Sequence, residues 1–165
     1  DGDYTMDNER FNQICSLLDV FDEGCKYVEE YNSLLHDYNG IILYQAESQF
    51  IRKIGDKPGI TITELSEYFG KTKSACSQLM YRMKRKGFLI QKRNQKNNRE
   101  YNLYLTGDGE TLYQSHKVFE RACYQRTARM LDEFTTEELE IYKKIQTKMN
   151  ESFFLDVEES KNLDL

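Results

Sequence analysis

Between Asn8 and about His36, apolar residues recur every three or four positions: Phe11, Ile14, Leu18, Phe21, Cys25, Val28 and Leu35. This is the spacing of one helix face, with Asp7-Asn8 as the N-cap. The pattern allows one long helix or two meeting near Gly24, because a lone mid-helix glycine costs only about 1 kcal/mol. Tyr38-Asn39-Gly40 reads as a break, and Ile42–Ile54 as a second helix stopped by Gly55 and the turn Lys57-Pro58-Gly59.

Two short helices follow in quick succession. Thr61-Ile62-Thr63-Glu64 has capping-box spacing and opens a helix with Leu65, Tyr68 and Phe69 inward and Gly70 as its stop. Thr72 then caps a helix whose buried side is Cys76, Leu79, Met80 and Met83, ended by Gly87. Such a pair across a tight turn has the form of a helix-turn-helix. After Gly87 the period falls to two: residues 88–93 and 100–106 read as strands around the polar turn Asn94–Asn98, a hairpin of the kind called a wing. Helical spacing then returns from about Gly107 through Leu112, His116, Phe119, Cys123, Met130 and Leu131. A second capping box at Thr135–Glu138 leads a last helix with Leu139, Tyr142, Ile145, Met149 and Phe153 on one side, and a frayed tail is expected over 156–165.

The fold class expected is therefore mostly α with a small β-hairpin. A winged helix-turn-helix lobe (41–106) lies between an N-terminal helical region (1–40) and C-terminal helices (107–155). A chain of 165 residues with 39% hydrophobic content is large enough for a core. The longest apolar runs, such as Ile41–Tyr44, fall far short of the roughly 20 residues of a membrane span. With no signal segment legible, a soluble, cytoplasmic protein without a membrane partner is expected. Cys15, Cys25, Cys76 and Cys123 stand singly, as free thiols of a reducing compartment do.

The net charge of −5 argues against a polyanionic partner until it is divided along the chain. Residues 71–106 carry ten basic groups and one acidic, a net +9 inside an otherwise acidic sequence. A basic run most often marks a solvated face; here it falls on the second helix and the hairpin. With Cys76, Leu79 and Met83 inward, Lys73, Ser74, Ser77, Gln78 and Arg82 turn outward. That side offers cations, hydroxyls and a carboxamide for phosphates and base edges, and Ala75 can touch a thymine methyl. The helix N-terminus adds backbone donors for a phosphate. Thr61 and Thr72 can donate as well, although capping accounts for both equally well. On the hairpin, Arg93, Lys96, Asn98 and Arg99 suit a minor groove or its backbone.

These segments resemble one family. Gly59-Ile60-Thr61-Ile62-Thr63-Glu64-Leu65-Ser66, Thr72-Lys73-Ser74-Ala75-Cys76-Ser77-Gln78-Leu79, Lys86-Gly87-Phe88-Leu89-Ile90, and Asn97-Asn98-Arg99 with Leu105-Thr106-Gly107-Asp108-Gly109 are similar to the MarR (multiple antibiotic resistance regulator) family over residues 41–130. The resemblance implies a homodimeric regulator, more often repressor than activator, whose terminal helices interlock and whose two recognition helices read a pseudo-palindrome in duplex DNA. It departs at the wing, where the family's Asp-Arg-Arg is replaced by Asn97-Asn98-Arg99. Both a bracing acid and a tip arginine are thereby lost, and Gln78 stands where the family often has Arg.

The resemblance also implies control by small, often phenolic ligands near the junction of the helical and DNA-reading regions. Tyr31, His36, Tyr38 and Tyr44 fall there, with Tyr27 nearby; tyrosines equally suit a helix–helix interface. A thiol-oxidation switch is an alternative, but Cys15 and Cys25 miss the position of the family's reactive cysteine, which falls nearest Leu18, and all four cysteines fit apolar stripes. His116 reads as a core or interface histidine, and two histidines without Cys/His spacing give no zinc motif. No cofactor is expected. Without GxSxG, a phosphate-cradling loop or a paired-carboxylate signal, catalysis is not expected either. The remaining alternative is a winged-helix adaptor whose basic face docks on an acidic protein.

Overall fold

In the computed structural model, which describes residues 6–163, one unbroken helix, α1 (Asn8–Ser33), runs through Gly24. Its N-cap is Asp7, whose carboxylate accepts the Arg10 N–H at 2.7 Å. The chain then departs from the predicted helix 42–54. Residues 35–44 form a hairpin, β1 (Leu35–Tyr38) against β2 (Ile41–Tyr44), and α2 (Gln45–Asp56) starts three residues later than expected. The cause is Asn39-Gly40. Both residues take positive φ, 58° and 85°, as the tightest right-twisting hairpin turn requires, and Asp37 accepts the Gly40 N–H to close it.

The next elements follow the predicted stops. The capping box at Thr61 opens α3 (Ile62–Phe69), Gly70 ends it in the left-handed region, and Thr72 opens α4 (Lys73–Arg85) by accepting the Ala75 N–H at 3.1 Å. β3 (Leu89–Arg93) and β4 (Tyr101–Leu105) form the wing, antiparallel with Leu89 opposite Leu105 and Arg93 opposite Tyr101. α5 (Gly107–Met130) and α6 (Thr136–Lys161) complete the order. Helix α6 continues well past 156, so most of the expected tail is helical; Asp164 and Leu165 lie outside the described residues.

Two compact units result, Asp1–Phe119 and Glu120–Leu165, the division falling inside α5. In the first, one core joins Phe50, Ile51 and Ile54 of α2, Leu65 of α3, Cys76, Met80 and Met83 of α4, Leu89 and Leu103 of the wing, and Leu112 of α5. Tyr38 and Leu43 extend it under the first hairpin. Tyr68, expected inward, is 61% exposed: with only eight residues, α3 buries Leu65 and leaves Tyr68 to stack under the Lys53 ammonium. The motif at Gly107–Gly109 has a packing reason. A Cβ on Gly109 would collide with the Phe88 carbonyl oxygen, so glycine lets α5 start directly beneath the wing. In the second unit, Thr135 caps α6 through a reciprocal box with Glu138, yet α6 buries no residue. Nor does α1. Among the described residues no helix is long and apolar enough to cross a membrane.

Candidate nucleic-acid interface

Helix α4 is amphipathic in the predicted sense. Cys76, Leu79, Met80 and Met83 are buried, while Lys73, Ser74, Gln78 and Arg82 are exposed and Ala75 and Ser77 half-buried beside them. Burial pushes the Cys76 thiol above its ordinary pKa, as expected of a packed side chain and not of a reactive nucleophile. Thr72 is exposed at the helix start; its oxygen accepts from Ala75, leaving the hydroxyl proton free to donate outward. Thr61 is buried, and its hydroxyl both accepts from the Glu64 N–H and points to the Glu64 carboxylate. It is a cap and does not share the exposed face of α4.

The wing tip is built by two asparagine side chains. Asn94 Oδ1 accepts the N–H groups of Lys96 and Asn97 at 2.8 and 3.0 Å, and Asn97 Oδ1 accepts that of Arg99 at 3.1 Å. Asn97, standing in the family's acidic position, thus still shapes the turn. The bracing expected to be lost with the acid is supplied from one residue beyond the predicted tip. The Thr63 hydroxyl donates to Glu100 Oε1 at 3.0 Å, tying the wing to α3, and Asn102 Nδ2 donates to the Gly59 carbonyl at 2.6 Å. Backbone pairs Gly59–Leu103 and Leu103–Ile60 fasten the same edge. Nearby, the Lys57 ammonium bonded to Glu64, reinforced by the Thr61 N–H, holds that carboxyl below the usual carboxylate range.

This scaffold presents Lys73, Arg93, Lys96, Asn98 and Arg99 to solvent, and none of the four cations among them enters an ion pair among the described residues. Other cations of the basic stretch are occupied. Lys84 donates to Gln91 of β3 at 2.7 Å, and Lys92 lies 5.0 Å over the Tyr104 ring. Arg82, read as facing DNA, stands 3.6 Å from Oε1 of Glu47, a residue the sequence reading passed over. Its signal was available: Glu47 shares the 3–4 spacing of Phe50, Ile51 and Ile54, and a carboxylate on an apolar helix face needs a partner.

The predicted ligand residues divide. Tyr31 stacks on His36 at 4.0 Å between ring centroids, and the Tyr31 carbonyl lies 2.9 Å from His36 Nε2. Tyr38 is fully buried, packed on His116 and Phe119, with its hydroxyl accepting from Ser48 and directed to Gln45. Tyr44 is exposed on the outer face of the first hairpin. Tyr31, His36 and Tyr38 thus pack in sequence, His36 and Tyr38 also reaching Phe119, and Tyr44 stands apart from them. An open groove of 740 Å³ lies beside them, between the hairpin turn and the first half of α5, lined by Asp37, Asn39, Glu110, Gln114, Val118 and Phe119 among others. His116 is buried, as expected; Cys15 and Cys123 are half-buried and Cys25 is exposed, so the apolar-stripe reading of these three describes burial the single chain does not supply. Among the described residues no group of three or more His, Cys, Asp or Glu stands together as a metal site.

No protein-family model and no curated protein sequence matches the chain. Solved structures do. FabT of Streptococcus pneumoniae, determined in complex with DNA, is similar at a TM-score of 0.64 and 24% identity, over 92% of this chain and 99% of that one. ZitR of Lactococcus lactis, a zinc-responsive MarR family member, gives 0.68 and 15%, over 86% and 97%. The adhesin competence repressor AdcR of Streptococcus pyogenes gives 0.64 and 18%, over 84% and 96%. The architecture is thus the winged-helix fold of MarR-type transcriptional regulators, with the helices on both sides of the lobe included.

Proposed function

We propose that the chain is a homodimeric DNA-binding transcriptional regulator of MarR type, acting as a repressor, which reads duplex DNA with α4 and the β3–β4 wing. The observation that carries this reading is the set of exposed cations on α4 and the wing tip, Lys73, Arg93, Lys96 and Arg99, none of them in an ion pair among the described residues, on a fold that in FabT was determined together with DNA. Lys73, Ser74 and the Thr72 hydroxyl meet phosphates at the start of α4, where backbone N–H groups and the helix dipole favour an anion. Gln78, one turn on, presents its amide to a base edge, with adenine as its bidentate partner. Arg93, Lys96 and Arg99 follow the neighbouring minor groove or its backbone, and Asn98 lies at the same tip.

Dimerisation is inferred from α1 and α6, whose apolar faces leave Phe11 and Val28, and Ile141, Tyr142 and Ile145, exposed. A second copy covering such stripes sets two recognition helices on a pseudo-palindrome with half-sites roughly 34–36 Å apart. Control by a small phenolic ligand belongs to the same proposal. Tyr31 on His36 is the pair it would part, because Tyr38 is sealed into the core. This is a binding function and assigns no catalysis.

The deciding experiment selects duplexes from a randomised pool with the purified chain and then challenges the complex with a large excess of random duplex. Retention of the selected sequence is expected for a regulator. Equal displacement by random DNA would leave an adaptor with a basic docking face.

A further inference from the structure

We infer that Glu47 is a positioning residue for DNA recognition: its buried carboxylate locks the last turn of α4 onto α2 through Arg82 and Lys86, and sequence discrimination depends on it although it does not face the DNA. The inference rests on the DNA-binding reading above.

Glu47 lies in the first turn of α2 with its side chain 5% exposed. One carboxylate oxygen accepts the Tyr44 N–H at 3.1 Å; the other is 3.6 Å from Arg82 Nη1 and 3.5 Å from Lys86 Nζ. A buried carboxylate is tolerated only when paired, and its partners are Arg82 in the last turn of α4 and Lys86, the C-cap four residues on. The arrangement is lopsided. The acid is buried while the cations are 47% and 42% exposed, so the anion is the fixed point and α4 is the element it holds. On its other side the same turn is held by Lys84 on Gln91. Gln78 precedes Arg82 by one turn, so the tether at Arg82 fixes the angle at which Gln78 meets a base edge. Arg82 itself is drawn back toward α2.

Two consequences of opposite sign follow for Glu47→Gln, which keeps an acceptor for the Tyr44 N–H and removes the charge. Arg82 and Lys86 are released toward phosphates, so affinity for random duplex rises and its salt dependence steepens by about one to two ions. Discrimination falls on the order of tenfold, the size of one lost base contact. A merely loosened fold would lower both affinities together.

The experiment uses the full chain, with a duplex enriched by the wild-type protein from a randomised pool as probe and random duplex as reference. The expected result for Glu47→Gln is a selected-to-random ratio about tenfold lower, with tighter random binding. An unchanged ratio, or a parallel loss of both affinities, overturns the inference. A thermodynamic cycle with Arg82→Gln, a substitution at a half-exposed site, gives a second check: the double variant is expected to lose no more discrimination than Glu47→Gln alone, and additive losses overturn the tether. If the wild-type chain enriches no sequence, the DNA reading fails first and this inference falls with it; enrichment by the wild type together with an indifferent Glu47→Gln removes the inference alone.

Discussion

Helices α4 and α6 open alike, each with a threonine whose hydroxyl oxygen accepts the N–H three residues on, and each carries a regular apolar stripe. Their fates differ. α4 buries four residues in a core shared with α2, α3, α5 and the wing, whereas α6 buries none over 26 residues. The first is finished by its own chain; the second, as α1 does with its own stripe, keeps Ile141, Tyr142 and Ile145 in water. A cap decides where a helix starts, but what covers its apolar face depends on the surroundings, and for α1 and α6 those surroundings are proposed to be a second copy.

The largest test of this contrast removes the second copy. Ile141→Asp with Ile145→Asp is expected to convert a dimer into a 19.6 kDa monomer by light scattering. DNA affinity should drop by about 10²–10⁴-fold as two-site binding is lost. A wild-type chain already monomeric at micromolar concentration would break the comparison, as would a variant that still dimerises. The next effect belongs to the closed lobe. Gly109→Ala drives a methyl into the Phe88 carbonyl, and an overpacking cost of about 1–3 kcal/mol is expected in urea unfolding. The same substitution at Gly24, which has open space around it, should leave the lobe unaffected or stabilise α1 slightly.

Of similar size, but confined to binding, are the contacts of the proposed interface, which divide by kind. Gln78→Ala should lose about 1–3 kcal/mol of base discrimination with little change in salt dependence. Arg99→Ala should weaken all sequences alike and reduce the salt slope by about one. Equal losses on selected and random duplex for Gln78→Ala would deny it a reading role.

What could be read in advance follows the same division between local and non-local causes. The caps at Thr61, Thr72 and Thr135, the stop at Gly70 and the wing strands were legible because each is fixed by residues within a few positions. Ile41–Tyr44 was not: a four-residue apolar run fits a buried helix as well as a strand, and only Asn39-Gly40, with its tolerance of positive φ, distinguishes them. The basic face of α4 was legible as a set but not member by member. Lys73 and Gln78 are exposed as expected, while Arg82 is claimed by Glu47 from 35 positions earlier, a pairing no spacing rule contains. The wing's brace was hidden likewise, because Glu100 reaches Thr63 across 37 positions.

The smallest effect tests whether the closed lobe draws on surface charge at all. The Lys57–Glu64 pair is short, 2.6 Å, yet its side chains are 57% and 41% exposed, so solvent screening limits it to roughly a few tenths of a kcal/mol. Its sign is nevertheless defined. Because Lys57 lowers the Glu64 pKa in the folded state, the pair's contribution is complete above the unfolded carboxyl value of about 4.3 and is lost as pH falls through the lower folded value. Lys57→Met should therefore lower the unfolding midpoint slightly at pH 7 and converge with the wild type near pH 2. A gap that persists in acid would assign the effect to packing of the Lys57 stem, since a protonated Glu64 no longer pairs as an ion.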